Sequence, residues 1–89
     1  SILDPKEFLP KAKAAVQKAL ELDPNLPEAH LAIADMYQND WNWAAAETEY
    51  KRAIELNPNL VAAHNHYSNY LSLIGRHDEA VAEAERTKE

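Results

Sequence analysis

The sequence predicts an all-α fold of antiparallel helix-turn-helix units, about two and a half of them in 89 residues. The first observation behind this is internal repetition at an offset of 34 residues. Glu21-Leu22-Asp23-Pro24-Asn25-Leu26 returns as Glu55-Leu56-Asn57-Pro58-Asn59-Leu60, and Ala29-His30 returns as Ala63-His64. Ala12, Ala46 and Ala80 form one ladder, Ala19 and Ala53 another, and Glu49/Glu83 and Arg52/Arg86 also match. The second is composition. One glycine, Gly75, and five prolines punctuate stretches dominated by alanine and leucine, which favour helix and leave little for strands. The third is spacing, since Ala12, Val16, Ala19 and Leu20 share one helical face. A fixed period of this length means stacked units rather than one closed core, and a stack presents a long surface suited to other proteins.

The first helix is expected over 5–22. Asp4 is a good N-cap, Pro5 suits the first helical position, and Glu7 completes a capping box. Pro10 removes a hydrogen bond to the carbonyl of Lys6, which predicts a kink there, or a short first turn and a restart near Phe8 to Pro10. Asp23-Pro24-Asn25 stops this helix, because the residue before a proline disfavours helical dihedrals. Pro27 starts the second, over 27–39, and the third covers 43–56 and stops at Asn57-Pro58. The fourth covers 61–74 and ends at Gly75, a natural left-handed C-cap. His77 or Asp78 opens the fifth, which runs to the chain end. Short connections make neighbours antiparallel. The whole is read as a single-domain fragment with units at 1–26 (partial), 27–60 and 61–89 (truncated). The last unit ends at Glu89, where the repeat would next supply Leu-Asp-Pro, so the chain reads as a piece of a longer array.

Bulk charge narrows the function. Nine basic residues against fifteen acidic ones give a net charge of -6, which repels phosphate backbones and argues against nucleic acid and anionic membrane surfaces. The cations are scattered and build no patch. There is no cysteine, hence no thiolate metal site and no thiol nucleophile. No apolar run approaches a membrane span and no signal-peptide pattern appears, so the expected location is cytoplasmic.

Residues that carry chemistry are sparse, and the reading is of a protein that is not an enzyme and takes no cofactor. Ser1, Ser68 and Ser72 stand in no strand-turn-helix elbow, and a single glycine rules out a glycine-rich phosphate loop. The carboxylates are read as solvating charge on helical surfaces. His30 and His64 are repeat equivalents expected to pack between helices, whereas His64 and His66 point to different sides. A zinc site wants ligands one turn apart plus a third partner, which is missing. Trp43 and Tyr50 share a face and are expected to pack on Tyr37 and the next unit. Trp41, in a tight turn, is expected to lie across the surface or cap a neighbouring helix, and as an exposed aromatic it is a candidate anchor for a partner.

These residues resemble a tetratricopeptide repeat. Over 27–60, Ala34 stands where the family prefers glycine or alanine, Tyr37 matches its aromatic, Ala46 and Ala53 match the small residues of its second helix, and Pro58 matches its closing proline. The next unit matches through Ser68, Leu71, Gly75, Ala80 and Ala84, and the first helix resembles the second half of an earlier unit through Ala12, Ala19, Leu22 and Pro24. Two departures stand out: Trp41 replaces the usual glycine of the inter-helix turn, and Thr87 replaces a usual alanine. The run from Asp40 through Trp41, Trp43 and Ala46 to Glu47 is similar to repeats in large bacterial signalling proteins.

The resemblance implies a tetratricopeptide-like α-solenoid whose first helices line a concave groove. Leu31, Asp35 and Gln38 share one such face at i, i+4, i+7, with Asn65, Asn69 and Ser72 as their repeat equivalents. Amides both donate and accept, so Asn65 and Asn69 suit a peptide backbone, Leu31 an apolar contact and Asp35 a basic group. One subset of the family grips a C-terminal carboxylate with lysines and arginines. Asn69 matches its asparagine, but Leu31, Asn65, Ala32 and His66 stand where cations are needed, so a neutral or basic peptide is expected instead. The function implied is non-catalytic protein–protein interaction within a larger, bacterial regulatory protein. The alternative is homo-oligomerisation through repeat ends, marked by exposure of Val81, Ala84 and their neighbours.

Overall fold

The computed structural model describes residues 5–87, with side chains from Pro10 onward. Five helices follow in order: α1 Pro5–Leu22, α2 Pro27–Asn39, α3 Trp43–Leu56, α4 Val61–Leu73 and α5 His77–Arg86. No strand occurs among the described residues. α2 packs on α3 and α4 on α5 as antiparallel hairpins, α1 lies against α2, and α4 joins the first hairpin through both α2 and α3. The fold is the expected all-α helical repeat.

Of the two alternatives at Pro10, the restart is not adopted. α1 runs through it as one helix, with no restart near Phe8. Proline deletes one backbone bond, and near the start of an 18-residue helix that loss leaves the following turns intact. Asp4 and the side chain of Glu7, expected to cap this helix, lie outside the described residues.

The turns repeat as faithfully as the helices. Asn25 N–H donates to Asp23 Oδ1 and Asn59 N–H to Asn57 Oδ1, both at 3.0 Å, which closes each inter-unit loop with the same side-chain turn. Pro27 then occupies the start of α2, where its missing N–H costs nothing. The hairpin turns also match. Trp41 N–H donates to the Gln38 carbonyl and Asn42 N–H to the Tyr37 carbonyl, as Gly75 N–H does to Ser72 and Arg76 N–H to Leu71. This is a left-handed helix stop. Gly75 adopts φ +86° there, and Trp41 adopts φ +61° at the equivalent position. α4 accordingly ends at Leu73, with Ile74 as its cap.

The core runs along the stack. Ala34, Ala46, Ala53, Ala63 and Ala80 are buried, and their small side chains let the backbones approach. The space left is filled by aromatics. Tyr50 from α3 meets Tyr67 and Tyr70 from α4, with ring centroids 5.8 and 5.3 Å apart, and Trp43 reaches Tyr70 at 6.1 Å. Trp43 and Tyr50 thus pack on the next unit, while Tyr37 flanks the same cluster. Burial of each such side chain is worth about 1.5–3 kcal/mol.

Candidate protein-interaction site

α2 and α4 run side by side and build one face. Asp35 sits at its centre. Its Oδ1 accepts the Tyr50 hydroxyl at 2.6 Å, and its two oxygens lie 3.2 and 2.9 Å from His66 Nδ1. A carboxylate only accepts, so Nδ1 carries the hydrogen. Nε2 of His66 then has no partner among the described residues. The Tyr50 hydroxyl also lies 2.9 Å from Gln38 Oε1. Burial first, and then its bond to the Asp35 carboxylate, push the Tyr50 phenol well above the ordinary tyrosine range.

The expected site residues divide. Asn65, Asn69 and Ser72 are exposed along α4, and none of their side chains has a partner among the described residues. Asp35 and Gln38 are half-buried and tied to Tyr50. Leu31 is a correction: at 7% exposure it belongs to the core and offers no surface contact. It stands about 40° round the helix from Asp35, on the Ala34 side, so its apolar side chain turns inward. Trp41 stays 77% exposed and sets its ring edge-on to Trp43, centroids 5.6 Å apart.

Two histidines do something the sequence left unspecified. His64 Nδ1 bonds Glu83 Oε2 at 2.7 Å and its Nε2 bonds the Pro58 carbonyl at 2.7 Å. One period earlier, His30 bonds Glu49 at 2.6 Å and the Pro24 carbonyl at 2.7 Å. Each clamps the second helix of a hairpin to the proline turn before it. Both partners only accept, so both ring nitrogens must carry hydrogen for both bonds to form. His30 and His64 therefore do pack between helices, as polar ties.

Between the hairpins, Glu47 of α3 accepts the Tyr67 hydroxyl at 2.6 Å and Arg76 Nη1 at 2.7 Å, with Lys51 at 3.8 Å. Burial pulls the Glu47 carboxyl up, but Tyr67, Arg76 and Lys51 together hold it below the usual carboxylate range. Arg76 also bonds Glu79. The Tyr70 hydroxyl adds a bond to the Trp43 carbonyl at 2.8 Å, and Ser68 Oγ one to the Ala80 carbonyl at 2.7 Å.

Three concavities are lined by residues other than Asn65, Asn69 and Ser72. One of about 260 Å³ is lined by Pro10, Lys13, Met36, Asn39 and Asp40. Another, of about 460 Å³, lies among Pro58, Val61, His64 and Arg86, and a third, of about 430 Å³, beside His30, Lys51 and Arg52. No helix among the described residues is long and apolar enough to cross a membrane.

The stacked hairpins and the small-residue ladder define a helical-repeat scaffold. Tetratricopeptide repeat models match residues 27–60 and 49–82, together more than half of the chain. The type IV pilus assembly protein PilF of Pseudomonas aeruginosa is 33% identical over 70 residues, 79% of this chain. The chain spans 28% of the length of that protein. The chain belongs to the tetratricopeptide repeat family.

Repeats of this family mediate protein–protein interaction and are typically non-catalytic. His66 was missed as part of the site because its repeat equivalent is Ala32, so periodicity carries no signal for it.

Proposed function

We propose that this chain is a non-catalytic module that presents the α2–α4 face to a segment of a partner protein. Asn65, Asn69 and Ser72 receive that segment, with Asp35 and Gln38 bordering it and Trp41 gripping the partner at the hairpin turn. The observation that carries the reading is the row of exposed polar side chains at Asn65, Asn69 and Ser72, which the fold itself does not use. Trp41 adds support. Its left-handed backbone suits glycine, and a non-glycine residue there costs about 1–2 kcal/mol. An exposed tryptophan held at that cost points to a use outside the fold. The module works within a larger bacterial protein of the cytoplasm, regulatory or, as the name of the relative suggests, concerned with assembly.

The test is site-specific photocrosslinking in the parent protein. A crosslinker at position 69 or 41 should trap a partner that one at position 55, an exposed position of α3, does not. Equal trapping from all three positions, or from none, would sink the reading.

A second reading is homo-oligomerisation through the repeat ends. Val81 is 60% exposed on α5, whereas its repeat equivalent, Glu47, is engaged by Tyr67 of α4 and Arg76 of the following turn. Light scattering over a concentration series tests this. A constant monomer mass excludes it.

A further inference from the structure

We propose that two copies of this chain pair through the α2–α3 hairpin turn. The Trp41 ring of each enters the cavity that Asp40 lines on the other, and Lys13 of each meets Asp40 of the other. This rests on the reading of Trp41 as a contact outside the fold and names what it grips. The α2–α4 face takes no part in it.

Three observations carry it. The first is a hole. The cavity of about 260 Å³ lies between α1 and the end of α2, lined by Pro10, Lys13, Met36, Asn39 and Asp40. One period on, the equivalent residues are engaged within the fold. Tyr70 stands for Met36, is buried and bonds the Trp43 carbonyl, and Glu47 stands for Lys13 and holds Tyr67 and Arg76. The hole is thus particular to this unit. Met36 adapts its shape to what enters. An apolar cavity of about 150 Å³ already holds benzene, so this one has room for an indole.

The second is a knob beside the hole. Trp41 follows Asp40 directly, is 77% exposed, and is held edge-on by Trp43 with centroids 5.6 Å apart. Its repeat equivalent is Gly75, so the turn itself asks for no side chain. Because knob and hole adjoin, one two-fold axis between them seats both rings at once.

The third is charge, and it selects the partner. Two copies at -6 repel, so contact is favoured only where opposite charges meet. Lys13 Nζ lies 3.9 Å from Asp40 Oδ2, with the two side chains 49% and 62% exposed. A pair this wet holds weakly and exchanges partners readily. A foreign acidic or basic side chain would satisfy one of these charges and leave the other covered without a partner. A two-fold copy satisfies both, twice over. Two buried tryptophans supply about 300–500 Å². A stable complex needs about 1,200 Å² or more, so this pair is weak and concentration-dependent.

The experiment is sedimentation equilibrium of the 89-residue chain. Between about 10 μM and about 1 mM the mass should move from one chain toward two. Trp41→Gly should weaken pairing by at least about tenfold. Lys13→Glu alone and Asp40→Lys alone should each remain monomeric, since each sets like charges together. An equimolar mixture of those two variants should pair, because every reversed charge then faces its opposite. Circular dichroism checks that all variants keep their helices. A constant monomer mass would overturn the inference, as would pairing indifferent to the three substitutions or a mixture no better than its components. A crosslink from position 41 to a different protein would overturn the pairing and leave the reading of Trp41 standing. No crosslink from position 41 at all would overturn both.

Discussion

Replacing His64 by alanine removes two hydrogen bonds at once and exposes how the hairpins are fastened. His64 is 4% exposed, and its ring joins the Glu83 carboxylate and the Pro58 carbonyl, both at 2.7 Å. With hydrogen on both nitrogens the ring is charged, so each of the two bonds is worth about 1.5–3 kcal/mol net. Glu83 keeps Arg86 at 3.6 Å, which limits the penalty for the orphaned carboxylate. The expected loss is about 3 kcal/mol, against a total of about 4–13 kcal/mol for a chain of this length. His30→Ala deletes the same pair of bonds in a wetter place. The side chains of His30 and Glu49 are 13% and 23% exposed, against 5% and 16% for His64 and Glu83. Water can replace the lost partners there, so the cost should fall to about 1–2 kcal/mol. Urea unfolding followed by circular dichroism measures both. With a slope near 1 kcal/mol/M, the two midpoints should differ by about 1–2 M. A coupling of about 1–3 kcal/mol between His64→Ala and Glu83→Ala should appear in a double-mutant cycle. A His30 variant as damaging as the His64 one would refute the argument that burial sets the strength of the clamp.

Trp41→Gly should leave stability within about 1 kcal/mol of the parent chain, since relief of about 1–2 kcal/mol at φ +61° offsets an aromatic edge contact worth about 0.5–1.5 kcal/mol. Thermal melting checks it, and a loss above about 2 kcal/mol would show that Trp41 is structural. Gly75→Ala should cost about 1–2 kcal/mol at φ +86°, and since no atom beyond its chain neighbours lies within 4 Å of the added methyl, the cost is the methyl's crowding against the local backbone alone. On the acid side, the depressed Glu47 carboxyl contributes stability above its unfolded value, and this is lost as pH falls through the folded one. Glu47→Gln should therefore flatten the acid limb of a stability–pH profile, and an unchanged limb would exclude its role. At high pH, the phenols of Tyr50 and Tyr67 lie well above their ordinary value through burial and then through Asp35 and Glu47 respectively. The stability they supply is full below the unfolded value and is lost as pH rises from there through the folded one. Phenolate absorbance from these two should rise only together with loss of helix.

The helices were legible because their limits are written locally. Pro24, Pro27, Pro58 and Gly75 stop or start the chain through their own backbone chemistry, and the alanine ladder marks where helices touch. Trp41 was legible as an oddity for the same reason, since its position in the period belongs to a glycine. Leu31 was misread because a stripe at i, i+4, i+7 spans enough of the helix to include one residue on the core side. The pairing of Asp35 with His66 joins residues 31 positions apart and has no counterpart in the other unit, so no local or periodic rule finds it. The clamps lie between these cases. Histidine, glutamate and proline all recur at the period, but only three dimensions show that they meet.

Each clamp ties a histidine to a carbonyl 6 residues earlier and to a carboxylate 19 residues later. Both intervals are shorter than the 34-residue period. A tandem duplication of one period thus copies every part of the tie, and where the seam falls inside it, the two copies complete each other. Lengthening such an array by copying adds a fastening with each new hairpin and demands no compensating substitution elsewhere. Heritable change in length is then a gentler event for this molecule than change in sequence at one buried ring.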